Sequence, residues 1–215
     1  MTTTNPTVLL LARHGQTADN RNRVFQGQGG KGLDERGRAQ AGRLAGRIAR
    51  AGITAVVSSD LERAVETATL ATRGLPLAIT TDALLREIDV GVWTGKSYEE
   101  IAELYPEEWA AWSAGLDVRR GGGETYGELA ERIDRALLRI AEEHAGGRVL
   151  VVSHGGAIRS WVSRLLGLGP EGRRALAGVA NTALAVLERT PSSWKLHAWN
   201  DTAHLEDLPA SEVSD

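Results

Sequence analysis

The chain of 215 residues contains no cysteine, which removes disulfides and thiolate metal centres from consideration and fits a reducing compartment. Long apolar runs are missing too. Val8 to Ala12 falls far short of the ~20 residues that cross a bilayer. The opening Met1-Thr2-Thr3-Thr4-Asn5-Pro6 carries no basic charge, so neither a secretory signal nor a membrane span is expected. Nor is there an excess of one charge: 25 Lys+Arg stand against 28 Asp+Glu, a net charge of −3. That balance argues against bulk nucleic-acid binding and leaves room for a local basic pocket. No Pro/Ser linker, internal repeat or low-complexity block divides the chain. With 42% hydrophobic residues it can build one large core. The expectation is a single cytoplasmic domain over residues 1–215, with no membrane partner.

What is present is concentrated at two strand ends. Leu9-Leu10-Leu11-Ala12 runs directly into Arg13-His14-Gly15-Gln16-Thr17, and Val149-Leu150-Val151-Val152-Ser153 into His154-Gly155-Gly156. Unbroken apolar runs of this kind suit strands buried on both faces of a largely parallel sheet. Ligands of such sheets sit beyond the carboxyl ends of the strands, so the two histidines are expected in one site.

Between these ends the pattern is that of an α/β chain. Residues 15–33 read as a glycine-rich loop without helical period. Asp34 is placed to cap a helix running to about Ala51. Ala55-Val56-Val57-Ser58 reads as a short buried strand, and Asp60 as the cap of a second helix that Gly74 stops. Two short strands are expected near residues 77–80 and 84–86. A helical pattern from Ser97 to Gly115 is broken at Pro106, which suits the first turn of a new helix. A loop at Arg119-Arg120-Gly121-Gly122-Gly123 precedes a long helix over about Glu124–His144. A further helix runs from near Gly156 to Gly167, and two strands near 182–188 and 194–199 lead into a polar tail.

Three strand ends then carry equipment for an anion: Arg13 and His14, Ser58-Ser59-Asp60 with Arg63 in the first turn of a helix, and His154 with two glycines. Helix starts and close-approaching backbone amides favour phosphate, as do arginines. A poor leaving oxygen also needs an acid, and Glu87 is the candidate. Other readings stand beside these. The two histidines have the chemistry of Zn ligands, although neighbouring arginines repel a cation. Glu87 could be a surface carboxylate and Arg63 an exposed helix residue. His144, His197 and His204 read as structural, and Trp93, Trp109, Trp112, Trp161, Trp194 and Trp199 as core or lid packing.

At this point the sequence resembles the histidine phosphatase superfamily, in its phosphoglycerate mutase-like branch. The resemblance rests on Arg13-His14-Gly15-Gln16-Thr17 with Asn20, Phe25-Gln26-Gly27, Leu33 through Gln40, and Ser58-Ser59-Asp60-Leu61 with Arg63, Ala64, Thr67 and Ala68. It continues through Leu85-Arg86-Glu87 with Gly91, Trp93 and Gly95, Gly122-Gly123-Glu124-Thr125, Ser153-His154-Gly155-Gly156 and Asn200-Asp201-Thr202-Ala203-His204-Leu205. It implies a three-layer α/β/α sandwich, with a mostly parallel central sheet and helices on both faces. It implies His14 as the nucleophile, carrying a phosphohistidine, and Glu87 as general acid and then base. Arg13, Arg63 and His154 would bind the phosphoryl oxygens, supplemented by Asn20, Gln26, Gly27 and Gly155. No metal or other cofactor is required, because protein cations stabilise the charge on the equatorial oxygens. A homodimer through an edge strand is compatible with the resemblance.

Three activities fit it: a phosphatase of histidine acid phosphatase type, a cofactor-dependent phosphoglycerate mutase, and a non-catalytic phospho-ligand binder. No catalytic position is substituted, which argues against the last. Mutases of the family follow their acid with Arg-His-Tyr-Gly, whereas Glu87 precedes Ile88-Asp89-Val90-Gly91. The segment after it is also short. Hydrolysis of a small phosphomonoester is therefore expected, with residues 88–125 as a cap over the site. Arg119 and Arg120 either meet a second anionic group of the substrate or are solvated loop arginines.

Overall fold

The computed structural model describes residues 5–208. Its centre is a six-stranded sheet of order β3-β2-β4-β1-β5-β6, built from β1 (Thr7–Arg13), β2 (Ala55–Ser58), β3 (Ile79–Thr81), β4 (Arg148–Ser153), β5 (Leu184–Arg189) and β6 (Trp194–Asp201). The first four are mutually parallel; β5 runs antiparallel to both β1 and β6. The helices are α1 (Ala18–Arg21), α2 (Glu35–Ile48), α3 (Glu62–Ala71), α4 (Tyr98–Leu104), α5 (Pro106–Ala114), α6 (Tyr126–Glu143), α7 (Gly155–Leu165) and α8 (Gly169–Gly172).

The doubly buried reading of β1 is met residue by residue. Leu9 and Leu11 enter a core shared with α6 and α7, while Leu10 and Ala12 enter a second core shared with α2 and α3. The two-residue period of a strand sends alternate side chains to opposite layers. Each buried leucine contributes roughly 1.5–3 kcal/mol relative to an exposed one. Helices therefore cover both faces, giving the three-layer α/β/α arrangement. Register does the rest. Arg13 pairs with Ser153 and Ser58 with Val152, so three strands end level and deliver His14, Ser59 and His154 to one edge.

Some expected elements differ. Asp60 does not cap α3, whose N-cap is Leu61 without a side-chain hydrogen bond. Its carboxylate is drawn instead to Arg86, at 2.7 Å from Nε. The strand expected near 84–86 is a 3-10 turn over Ala83–Leu85, capped by Asp82, because Leu85 packs into the core rather than pairing. The loop at 15–33 contains the one-turn α1, closed by a capping box between Thr17 and Asn20. Residues 169–175, not read as regular, form α8 and a 3-10 turn. The helical pattern from 97 does split at Pro106, into α4 and α5. Gly121 and Gly123 have a packing reason: a Cβ on them would lie 2.5 Å from the Val90 and 2.2 Å from the Asp89 carbonyl oxygen. Among the described residues no helix is long and apolar enough to cross a membrane. The N-terminal residues 1–4 and the polar tail beyond 208 lie outside the described residues.

Candidate active site

The level strand ends open onto a cavity of about 1010 Å³ whose lining includes Arg13, Asn20, Glu87, Gly155 and Gly156. His14, Arg63 and His154 are not part of the lining. His14 and His154 are buried beside it, next in sequence to Arg13 and Gly155, and Arg63 is buried behind them against His154.

His14 is fixed from several directions. Its amide donates to the Ser153 carbonyl at 3.0 Å, and its own carbonyl accepts from Asn181 Nδ2 at 3.0 Å. The following amide, of Gly15, donates to Thr67 Oγ1 at 2.9 Å, tying the strand end to α3. The ring Nδ1 lies 2.7 Å from the Gly15 carbonyl oxygen. A carbonyl can only accept, so Nδ1 carries the proton and Nε2 presents its lone pair. Burial, with Arg63 and Arg13 nearby, holds the imidazole well below its usual pKa, against a smaller opposing effect of the Gly15 hydrogen bond. The ring is neutral and nucleophilic at neutral pH.

Arg63 sits near the start of α3 but is not an exposed helix arginine. Nη1 donates to the Gly29 carbonyl at 2.6 Å, Nη2 to the Gly27 carbonyl at 2.7 Å, and Nε to His154 Nδ1 at 3.3 Å. Three of its five N–H groups are used and two remain. Burial is the main influence on its pKa, which is lowered to about 10. The Phe25-Gln26-Gly27 turn thus acts through its backbone: Gly27 orients Arg63, and neither Gln26 nor Gly27 lines the cavity.

His154 is arranged differently from expectation. A guanidinium can only donate, so Nδ1 holds a lone pair toward Arg63. Nε2–H then donates to Ser59 Oγ at 2.8 Å. Both nitrogens are engaged inside the protein, and the ring stands 5.1 Å from that of His14. Here His154 orients Arg63; to reach a phosphoryl oxygen its N–H must turn away from Ser59. Burial, Arg63 and His14 keep it neutral as well.

Glu87 lies across from these groups. Oε1 accepts from the amides of Ile88 at 2.9 Å and Ala157 at 3.0 Å, and Oε2 from Gly156 at 3.0 Å. It is clamped on the first turn of α7, which is not the setting of a free surface carboxylate. A Cβ on Gly156 would come within 2.6 Å of Oε1, so the second glycine after His154 makes room for the acid. Arg13 bonds the Val179 carbonyl at 2.6 Å. Asn20 is shared between α1 and Asn181, whose Nδ2 lies 3.4 Å from its Oδ1.

The expected pair Arg119 and Arg120 is split. Arg119 is half-exposed, donates to the Gly123 carbonyl and ion-pairs with Glu128, outside the cavity lining. Arg120 is buried against Tyr126. Ser59 and Thr67, quoted in the motifs without a role, hold His154 and the Gly15 amide, while Asn181 was not singled out from sequence. Asn181-Thr182 could have been: it is a polar pair immediately before an apolar strand, and it reaches the active edge because β5 runs backwards. No group of three or more His, Cys, Asp or Glu suited to a metal occurs among the described residues.

Comparison with known proteins identifies the family. Residues 9–202 match the model of the histidine phosphatase superfamily (branch 1). The Arabidopsis thaliana phosphoglycerate mutase-like protein 4 is 37% identical over 205 residues, covering 93% of this chain and 87% of that protein. Bacillus stearothermophilus YhfR superposes with a TM-score of 0.88 at 30% identity, covering 93% of this chain and all of that one. A mycobacterial glucosyl-3-phosphoglycerate phosphatase, solved with VO3, gives 0.79 at 32% identity over 90% of this chain and 98% of that one. The chain belongs to branch 1 of the histidine phosphatase superfamily.

Proposed function

We propose that this chain is a metal-independent phosphomonoesterase of histidine acid phosphatase type, acting in the cytoplasm on a small phosphorylated metabolite. The observation that carries the reading is the neutral His14 ring, with Nδ1–H locked on the Gly15 carbonyl and Nε2 left as a nucleophile among arginines. Nε2 attacks phosphorus and the bond from phosphorus to the ester oxygen breaks. The leaving oxygen takes a proton from the Glu87 carboxyl. In the second step the Glu87 carboxylate takes a proton from water, the water oxygen bonds to phosphorus, and the P–Nε2 bond breaks. Inorganic phosphate leaves and His14 is regenerated. Arg13 and the two unused N–H groups of Arg63 stabilise charge on the transferring group.

The likeness to a mycobacterial glucosyl-3-phosphoglycerate phosphatase supports hydrolysis. The mutase-like name of the plant relative points the other way. The segment after the acid favours hydrolysis, because Ile88 and Val90 are buried in the core and present no cation to a substrate carboxylate. Residues 88–125 act as the cap in this reading, contributing Tyr98 and Trp112 to the cavity wall.

With a preferred monoester in ¹⁸O-water, released phosphate should carry the solvent label, acid-quenched protein should carry phosphate on His14, and EDTA should leave the rate unchanged. His14→Ala should abolish turnover. Glu87→Gln should slow alkyl phosphates far more than p-nitrophenyl phosphate, whose leaving group needs little protonation. Efficient conversion of 3-phosphoglycerate to 2-phosphoglycerate, without labelled phosphate, would replace the phosphatase by the mutase.

A further inference from the structure

We propose that Tyr126, held between Arg120 and Arg173 on the cavity wall, receives a second oxyanion of the substrate, so that the chain selects phosphomonoesters bearing a distal carboxylate or phosphate. The inference rests on the cavity being a phosphomonoester site and names the class of ester it takes.

Arg120 and Arg173 are among the most buried charged residues, at 2% and 4% exposure. Arginines are rarely so buried without a charge partner, since an uncompensated buried cation is costly. Here the partner is an aromatic ring. The Cζ atoms lie 3.9 Å and 3.6 Å from the Tyr126 ring centroid, and one face has room for one guanidinium, so the two take opposite faces. Nε and Nη2 of both arginines meet no hydrogen-bond acceptor among the described residues. Burial lowers the Arg173 pKa, as do the neighbouring charges of Arg159, Arg120 and Arg174, while Tyr126 favours its charge.

The phenol completes a donor-only receptor. Its oxygen accepts from Arg120 Nη1 at 2.9 Å and from Trp112 Nε1 at 3.4 Å. Neither partner can accept, so the phenol proton is available to a third group. Burial pushes the Tyr126 pKa up, but Arg120 and Arg173 outweigh it and lower the value, the mark of a positive local field. A ligand that answers guanidinium and phenol donors at once has acceptors only, which describes a carboxylate or phosphate.

The receptor is tied to the reacting end. Tyr126, Arg173 and Trp112 line the same cavity as Arg13, Asn20 and Glu87. Arg159 of α7 donates to the Arg173 carbonyl at 3.2 Å and to the Leu176 carbonyl at 2.5 Å, and the first turn of the same helix clamps Glu87. Arg159 is therefore a positioning residue that sets the second anion relative to the acid.

Equilibrium binding to His14→Ala tests the proposal. The ligands are alkyl phosphates of two to six carbons ending in a hydroxyl, a carboxylate or a second phosphate. At one chain length or more, an anionic end should bind at least ten-fold tighter than the hydroxyl end; which anion gains more identifies the source. Adding Arg173→Met or Tyr126→Phe should bring that ratio below three-fold, and Arg173→Lys should restore part of it. Hydroxyl and anionic ends binding alike at every length, no ligand binding at all, or a preference that survives Tyr126→Phe and Arg173→Met would overturn it. Tyr126→Phe removes one oxygen and decides the matter if Arg173→Met does not fold. The His14→Ala protein turns nothing over, so this outcome is independent of whether the wild type hydrolyses its substrate.

Discussion

On the outer faces of the molecule arginines meet carboxylates: Arg139 meets Glu143 at 3.0 Å, Arg38 meets Glu66 at 2.6 Å, and Arg86 meets Asp60 at 2.5 Å. Around the cavity they meet neutral groups. Arg63 spends three donors on two carbonyls and an imidazole, Arg174 bonds the carbonyls of Trp112 and Ser113, and Arg120 and Arg173 lie against a phenol ring. A carboxylate orients a guanidinium and cancels its charge. A carbonyl or ring orients it and leaves the charge for a ligand. The cavity lining holds seven arginines against the two carboxylates Asp19 and Glu87. The difference between the two regions shows where arginines outnumber carboxylates and the field is positive.

The largest effect is expected where the buried arginine beside the two histidines loses its charge. Arg63→Gln keeps polar reach toward Gly27 and Gly29 but removes the cation, and kcat/KM should fall about 10²–10³-fold. Arg86→Ala, on the carboxylate-paired side, should change kcat/KM less than two-fold. Equal losses from the two would erase the distinction.

Burial, helped by the neighbouring arginines, holds His14 and His154 neutral, which makes stability depend on pH. Both folded pKa values lie well below 6.5, so the unfolded chain binds protons that the folded chain refuses. Their contribution is complete above the unfolded pKa of about 6.5 and is lost as pH falls below it, by up to about 1.4 kcal/mol per pH unit for each ring. Denaturant midpoints measured between pH 7.5 and 5.5 should drop accordingly, and His14→Gln should reduce the slope. A flat profile would mean the rings are already charged in the fold.

The smallest effect belongs to the outer surface. Arg139 bridges Asp82 and Glu143 while remaining about half exposed. Arg139→Ala should cost under about 1 kcal/mol of unfolding free energy and leave activity unchanged. A cost of several kcal/mol would show that the outer pairs are more than solvated contacts.

Much of this was legible in the residues. Leu9-Leu10-Leu11-Ala12 and Val149-Leu150-Val151-Val152 announced doubly buried parallel strands, because burial on both faces requires apolar side chains at every position. The gathering of His14, Arg63 and His154 at one edge was legible from their place at strand and helix ends. Local pattern failed at Asp60 and at Leu84-Leu85-Arg86, where a nearby Arg86 and the pull of the core outweighed capping and strand propensity.

The sequence by itself determined the family, the α/β alternation and the chemical types at the reacting edge, since these follow from periodicity and from ordered motifs along one chain. Only the tertiary structure decided how those groups are wired. It turned His154 toward Arg63 and Ser59, brought Asn181 to His14 through a reversed strand, and left Arg119 half-exposed while Arg120 was buried against Tyr126. It also brought Arg173, from a segment with no regular signal, against the ring of Tyr126. Adjacent residues carry identical local information. Whether a guanidinium ends beside a carboxylate, a carbonyl or a ring depends on partners dozens of residues away, and on which of them burial leaves within reach.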